Sequence, residues 1–217
     1  MTLIELLLGS LLGLLLLATL LNAWLQLAAS SQRQLGQLRL EHELRSTVLL
    51  MTRDLRRAGY WHWQPGSAAS LYDNPFLQPA TRPRLARATV SEAADSCITF
   101  SYDLDGDGLV NDGSLELFGY RQRSGALETR SSASAAACSS GQWQDITTAG
   151  IEITTLQFTL DTVHHAMATS SPCSTGAACV GDMLIGITLA GQLQGQPHTR
   201  HTLQEQIHVR NPLLSRL

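Results

Sequence analysis

MTLIELLLGSLLGLLLLATLLNAWLQLAA, residues 1–29, carries one charged side chain, Glu5, and is otherwise dominated by leucine. About 20 apolar helical residues cross a hydrocarbon core roughly 30 Å thick, so this run is long enough to span a bilayer. A secretory signal peptide would show a basic start, a shorter apolar stretch and a small-x-small cleavage site. Here no basic residue stands before the run, the run is too long, and the helical pattern continues past it. A membrane-spanning helix is the expectation for residues 1–29.

The pattern changes character after the span without breaking. From Gln32 to Ala58 there is no proline, and Leu44, Val48, Met51, Leu55 and Ala58 recur every three or four residues, which puts them on one stripe of a helix. Glu41, Glu43, Arg45, Arg53, Asp54, Arg56 and Arg57 occupy the other faces. Gly59 is a natural stop, with arginines in the last turn favourably placed against the helix dipole. The spacing predicts one helix of about 55 residues, roughly 80 Å long, with a transmembrane half over 1–29 and an amphipathic half over 30–59. Residues 60–217 then form a head. A plain signal anchor followed by a juxtamembrane helix satisfies the same composition.

Outside the span the chain is polar and rich in Ser, Thr, Ala, Gly and Gln. A net charge of −3 leaves no basic stretch able to neutralise a run of phosphates, which excludes a nucleic-acid binder. All 15 basic residues are arginine. The cysteines, Cys97, Cys138, Cys173 and Cys179, form no C-x-x-C pair, which disfavours zinc and thioredoxin-like chemistry. An even number behind a membrane segment fits disulfides in an oxidising compartment. Of three pairings, Cys173–Cys179 (closing a short loop) and Cys97–Cys138 (tying a strand to a small-residue loop) are favoured.

Glu5 separates the anchor from something more specific. A carboxylate inside an apolar span costs a few kcal/mol unless paired, so such residues are functional candidates by default. The nearest partner for it is a free N-terminal amine at Met1. The start Met1-Thr2-Leu3-Ile4-Glu5-Leu6-Leu7 resembles that of mature type IV pilins, in the offset of its carboxylate and the unbroken leucine-rich helix behind it. That resemblance implies cleavage by a prepilin peptidase just before Met1, removing a short basic leader, and methylation of the new terminus. It also implies that Glu5 pairs with the N-terminal amine of a neighbouring subunit on docking. Where major pilins usually carry a proline, this chain has Asn22. Six arginines against three acids between Arg33 and Arg57 would by themselves favour a cytoplasmic location; the removed leader would supply the opposing charge.

The head reads as strands: Ser96–Tyr102, Leu115–Arg121, Ala126–Arg130, Ile151–Asp161, Met183–Leu193 and His198–Arg210. Alternation is clearest around Ile151, Ile153 and Thr155 and around Ile185, Ile187 and Leu189. Ser124-Gly125 and Gly195-Gln196-Pro197 suit hairpin turns, while Trp61, Trp63, Tyr72 and Phe76 are expected to pin the proline-rich connection to the head. The expected architecture is α+β, a long N-terminal helix packed on an antiparallel sheet. Asp54-Leu55-Arg56-Arg57-Ala58-Gly59-Tyr60 and the closing Val209-Arg210-Asn211-Pro212 resemble the PilW group of minor pilins and pseudopilin J of type II secretion. The Arg-Arg-Ala-Gly-Tyr element and an Asp-rich turn favour PilW.

That turn, Asp103-Leu-Asp105-Gly-Asp107-Gly108-Leu-Val-Asn111, places oxygens at positions 1, 3, 5 and 9 of an EF-hand-like loop, with glycine at 6. Position 12 is Ser114 rather than an acid, and Glu116 follows two residues late. Asp103, Asp105, Asp107, Asn111 and Glu116 are the candidate ligands of a structural calcium ion. A metal-free Asp/Gly turn uses the same residue types, and both readings stand. His164 and His165, like His198 and His201, fall on opposite faces of a strand and make poor metal pairs. No G-x-S-x-G, H-E-x-x-H or phosphate-binding glycine loop occurs, so no enzyme is expected and no cofactor is required.

Two classes of function follow. One is an assembly subunit that enters a filament from the inner membrane, its head periplasmic beforehand and extracellular, at the tip, afterwards. The resemblance implies other minor pilins, the major pilin and a tip adhesin as partners, serving adhesion or twitching motility. The other is a signal-anchored periplasmic enzyme or binding protein.

Overall fold

The computed structural model describes residues 2–66, 70–110, 116–132, 135–167, 173 and 178–216. One helix, α1 (Leu3–Leu55), runs without interruption for 53 residues. Leucine and alanine favour it, and its first turn is closed by a capping box in which Thr2 is the N-cap and Glu5 reaches back. Its apolar half touches nothing: leucines from Leu3 to Leu27 are all more than half exposed. It is the one helix among the described residues long and apolar enough to cross a membrane.

The amphipathic half is held by its stripe. Leu40, Leu44, Val48, Met51, Leu55 and Ala58 are buried, one residue more than the spacing predicted. Each large side chain so buried contributes about 1.5–3 kcal/mol. The regular helix ends at Leu55, Arg56 keeps helical dihedrals as its C-cap, and the chain turns at Gly59, whose φ is +73°. A side chain there is strained by that φ and would also sit 2.4 Å from Leu77 Cδ2. The Gly59 N–H donates to the Ser101 carbonyl at 2.8 Å, so the turn is sewn to the head.

The head contains two antiparallel sheets where the sequence suggested one. The first is a meander of β1 (Arg84–Ala86), β2 (Cys97–Ser101), β3 (Leu117–Arg123), β4 (Ala126–Ser132) and β5 (Gln142–Asp145). The second joins β6 (Ile151–Ala166), β7 (Ala178–Leu193) and β8 (Gln196–His208), with β9 (Leu213–Arg216) on the same side of β7 as β8. Residues on α1 contact β7 and β8. The core lies between this helix and the sheets, filled by Ile98, Phe100, Tyr120, Leu127, Leu156, Phe158, Ile185 and Leu189. The sheets meet through the outer edge of β6: Ile153 N–H donates to Gly125 O at 2.7 Å and Phe158 N–H to Asp95 O at 2.9 Å.

Strands β1, β5 and β9 escaped the sequence reading because each has only three or four residues. β6 and β7 exceed their predicted spans: they pair with each other as far as Ala166 and Cys179, where β6 from Asp161 to His164 is exposed and β7 carries small residues at Ala178, Cys179 and Gly181. The turn between β7 and β8 centres on Gln194-Gly195, and Gln196 and Pro197 already belong to β8.

Candidate functional site

The first candidate is the start of α1. Met1 lies outside the described residues. Within the chain, Glu5 Oε2 accepts the Thr2 backbone N–H at 2.9 Å, and the side chain is exposed. A carboxylate at this end of a helix lies against the positive pole of the dipole, with lone pairs left to accept a second donor.

The second is the seam between helix and head. Tyr120 O–H donates to Asp54 Oδ2 at 2.5 Å, and the Arg57 guanidinium lies 4.2 Å above the Tyr102 ring. Asn211 Nδ2 donates to the carbonyls of Arg57 at 3.2 Å and Ala58 at 3.0 Å, and Arg210 N–H donates to Arg56 O. The two segments singled out from sequence, 54–60 and 209–212, therefore meet. Burial pushes the Tyr102 hydroxyl up to about 12, with the Asp54 charge adding to the effect and Arg57 and Arg53 opposing it. Tyr120 is raised further, by burial first and its bond to Asp54 second.

The third is the acidic loop. Asp103, Asp105, Asp107 and Glu116 each bring a carboxylate oxygen to within 4.8 Å of the others; Asn111 lies outside the described residues. Asp103 and Glu116 are buried and the other two exposed. Asp103 Oδ1 accepts the Gly106 N–H at 2.7 Å, and Oδ2 accepts those of His62 at 2.9 Å and Gly108 at 3.1 Å. Glu116 Oε1 accepts the Leu104 N–H at 3.0 Å. The loop is thus shaped by backbone donors, and its like charges are partly offset before any cation is considered. Hard carboxylate oxygens with this spread suit calcium, whose bonds of about 2.3–2.6 Å put opposite ligands about 5 Å apart.

Disulfides join Cys97 to Cys138 and Cys173 to Cys179. Around the first, the Arg121 guanidinium bonds Glu128 at 2.5 Å and the Cys138 carbonyl at 2.6 Å. Trp143 is flanked by Arg121 and Arg130, at 4.2 and 4.7 Å from the ring. Burial first, and Arg121 second, pulls Arg130 down to about 10, so it is charged at neutral pH. Sequence reading missed this cluster because Arg121, Glu128 and Trp143 lie on three strands whose pairing no local pattern announces. It also missed a histidine pair: His165 Nδ1 and His208 Nε2 lie 3.6 and 3.8 Å from the two oxygens of Asp182. His164 and His165 do point to opposite faces of β6, as alternation requires.

A long helix, apolar and bare over its first half and packed over its second on antiparallel sheets, defines a pilin-like subunit with a membrane anchor. The chain belongs to the prepilin peptidase-dependent protein B family, whose model matches residues 33–209, nearly the whole of it beyond the apolar segment. It is thus related to the type IV pilus. No curated protein and no solved structure matches the chain.

Proposed function

We propose that this protein is a minor pilin of the PilW kind, a non-catalytic subunit that primes assembly of a type IV pilus and sits at its tip. The observation that carries this reading is the bare half of α1, where leucines from Leu3 to Leu27 have no protein neighbour. Such a surface requires lipid before assembly and the helices of other subunits afterwards. Glu5, at the end of that helix, supplies the acceptor for a neighbour's N-terminal amine. The partners are other minor pilins, the major pilin and a tip adhesin. The head is periplasmic before assembly and extracellular after it.

The runner-up is a pseudopilin of the J type in a type II secretion system. A deletion strain scored for sheared surface pili and for secreted exoproteins separates the two. Loss of pili with normal secretion supports the minor pilin, the reverse supports the pseudopilin, and normal behaviour in both assays overturns the assembly reading.

We also infer that Asp103, Asp105, Asp107 and Glu116 hold a structural calcium ion, for which the converging carboxylates speak. The ion would brace the loop against His62 and the seam behind it. At the modest affinity of extracellular sites, millimolar calcium would raise stability by about 1–2 kcal/mol. Melting the detergent-solubilised chain in calcium and in chelator tests this. A calcium-dependent rise that Asp105→Asn abolishes is expected, and identical melting in both buffers would contradict it.

A further inference from the structure

Strand β6 is an edge strand, and only half of its edge is covered. In an antiparallel ladder, residues alternate between facing the partner strand and facing outward. Met167 N–H bonds Ala178 O at 3.0 Å, so the odd-numbered residues from 157 to 165 face β7 and the even-numbered ones face away. Along the first half every outward N–H is met: Ile153 by Gly125 O, Leu156 by the Gln122 side chain and Phe158 by Asp95 O. Beyond Phe158, no hydrogen bond between described residues meets the outward backbone groups of Leu160, Thr162, His164 or Ala166. This stretch also lacks the usual protections of a free edge, having no lysine, no proline and no bulge, and Asp161 is its one acidic or basic charge. Val163 is 57% exposed.

Its position in the molecule limits what can pair with it. Gly36 lies against Leu193, while Arg56 O accepts the Arg210 N–H, so α1 runs alongside β8 and in its direction. Met183 pairs with Val209 near the C-terminal end of the helix, and Leu160–Ala166 pairs with β7 from Ile185 back to Cys179. The open edge therefore lies at the end of the head farthest from the apolar half of α1. A second copy added antiparallel would be related by a two-fold axis normal to the sheet, which reverses α1. Two apolar helices pointing in opposite directions cannot enter one bilayer. A symmetric parallel pair fails too, because facing residues on the two strands must then differ in parity.

We propose that the outer edge of β6, from Leu160 to Ala166, receives an extended segment of a different polypeptide as an added strand, bonded to the backbone of Leu160, Thr162, His164 and Ala166. The proposal rests on membrane insertion through α1 and extends the assembly reading by giving that partner a binding mode.

The test places photoreactive benzoylphenylalanine at Val163, and separately at Leu35 on the exposed face of α1, in the full chain in its native membrane. Thr162→Pro is the blocking variant: it removes an outward N–H and leaves the ladder to β7 whole. We expect a Val163 adduct with a different polypeptide, reduced at least tenfold by Thr162→Pro, with unchanged Leu35 adducts and membrane level. A Val163 adduct with a second copy of this chain, or one that survives Thr162→Pro, would overturn the proposal. Leu35 adducts without a Val163 adduct would overturn it alone, and adducts at neither position would overturn the assembly reading with it.

Discussion

Tyr120 on β3 donates its hydroxyl hydrogen to Asp54 on α1 at 2.5 Å, fixing the last turns of the long helix against the first sheet. Both partners sit in the seam, next to Tyr102 and Arg57, so the helix and head are coupled by a charge-assisted bond and not by apolar contact alone. Tyr120→Phe leaves the carboxylate without this donor and is expected to cost about 1–2 kcal/mol. Thermal unfolding of the solubilised chain should register a drop of about 3–6 °C, and an unchanged midpoint would mean that the bond is not formed.

Alkaline pH reads the same seam. Tyr102, near 10 when unfolded, is raised to about 12 in the folded chain. The folded state keeps a proton that the unfolded state releases, so this stabilisation is complete below pH 10 and lost as pH rises towards 12. No lysine titrates in this window, since all 15 basic residues are arginine. Arg130, pulled down to about 10, acts with the opposite sign, so the diagnostic is the difference between the native chain and Tyr102→Phe. That difference should shift in favour of Tyr102→Phe above pH 10; parallel curves up to pH 12 would contradict the assignment.

Gly59 is required by backbone shape and space together. Gly59→Ala forces a methyl group against Leu77 at a positive φ and is expected to cost about 1–3 kcal/mol. The check is denaturant unfolding, where the midpoint should fall at constant slope.

The Cys97–Cys138 bridge spans a separation of 41 residues, and its loss removes about 4 kcal/mol if chain entropy governs. Cys97→Ala with Cys138→Ala should therefore melt far below the native chain under oxidising conditions. In reductant, where the Cys173–Cys179 bridge is open as well, the native chain and the double variant should melt together.

How much was legible in the sequence depended on whether the signal was local. The helix and its buried stripe were readable because Leu44, Val48, Met51 and Leu55 repeat with the helical period and no proline interrupts them. The Asp-rich loop was readable because its carboxylates lie within a few residues. Glu116, two places late for an EF-hand, still reaches the cluster because the loop opens into β3 instead of a helix. The division into two sheets was not readable, since it depends on β6 turning its outer edge to Gly125 and Asp95, far away in sequence. The Asp182 histidines and the arginine pair around Trp143 were invisible for the same reason.

In the proposed function, α1 carries this subunit into a filament with Glu5 as its docking group. The most direct measurement compares the native chain with Glu5→Val, quantifying the protein in membranes and in sheared filaments from the same cells. Glu5→Val is expected to leave the membrane level unchanged and to reduce the filament fraction at least tenfold. Equal recovery of both chains in sheared filaments would contradict it.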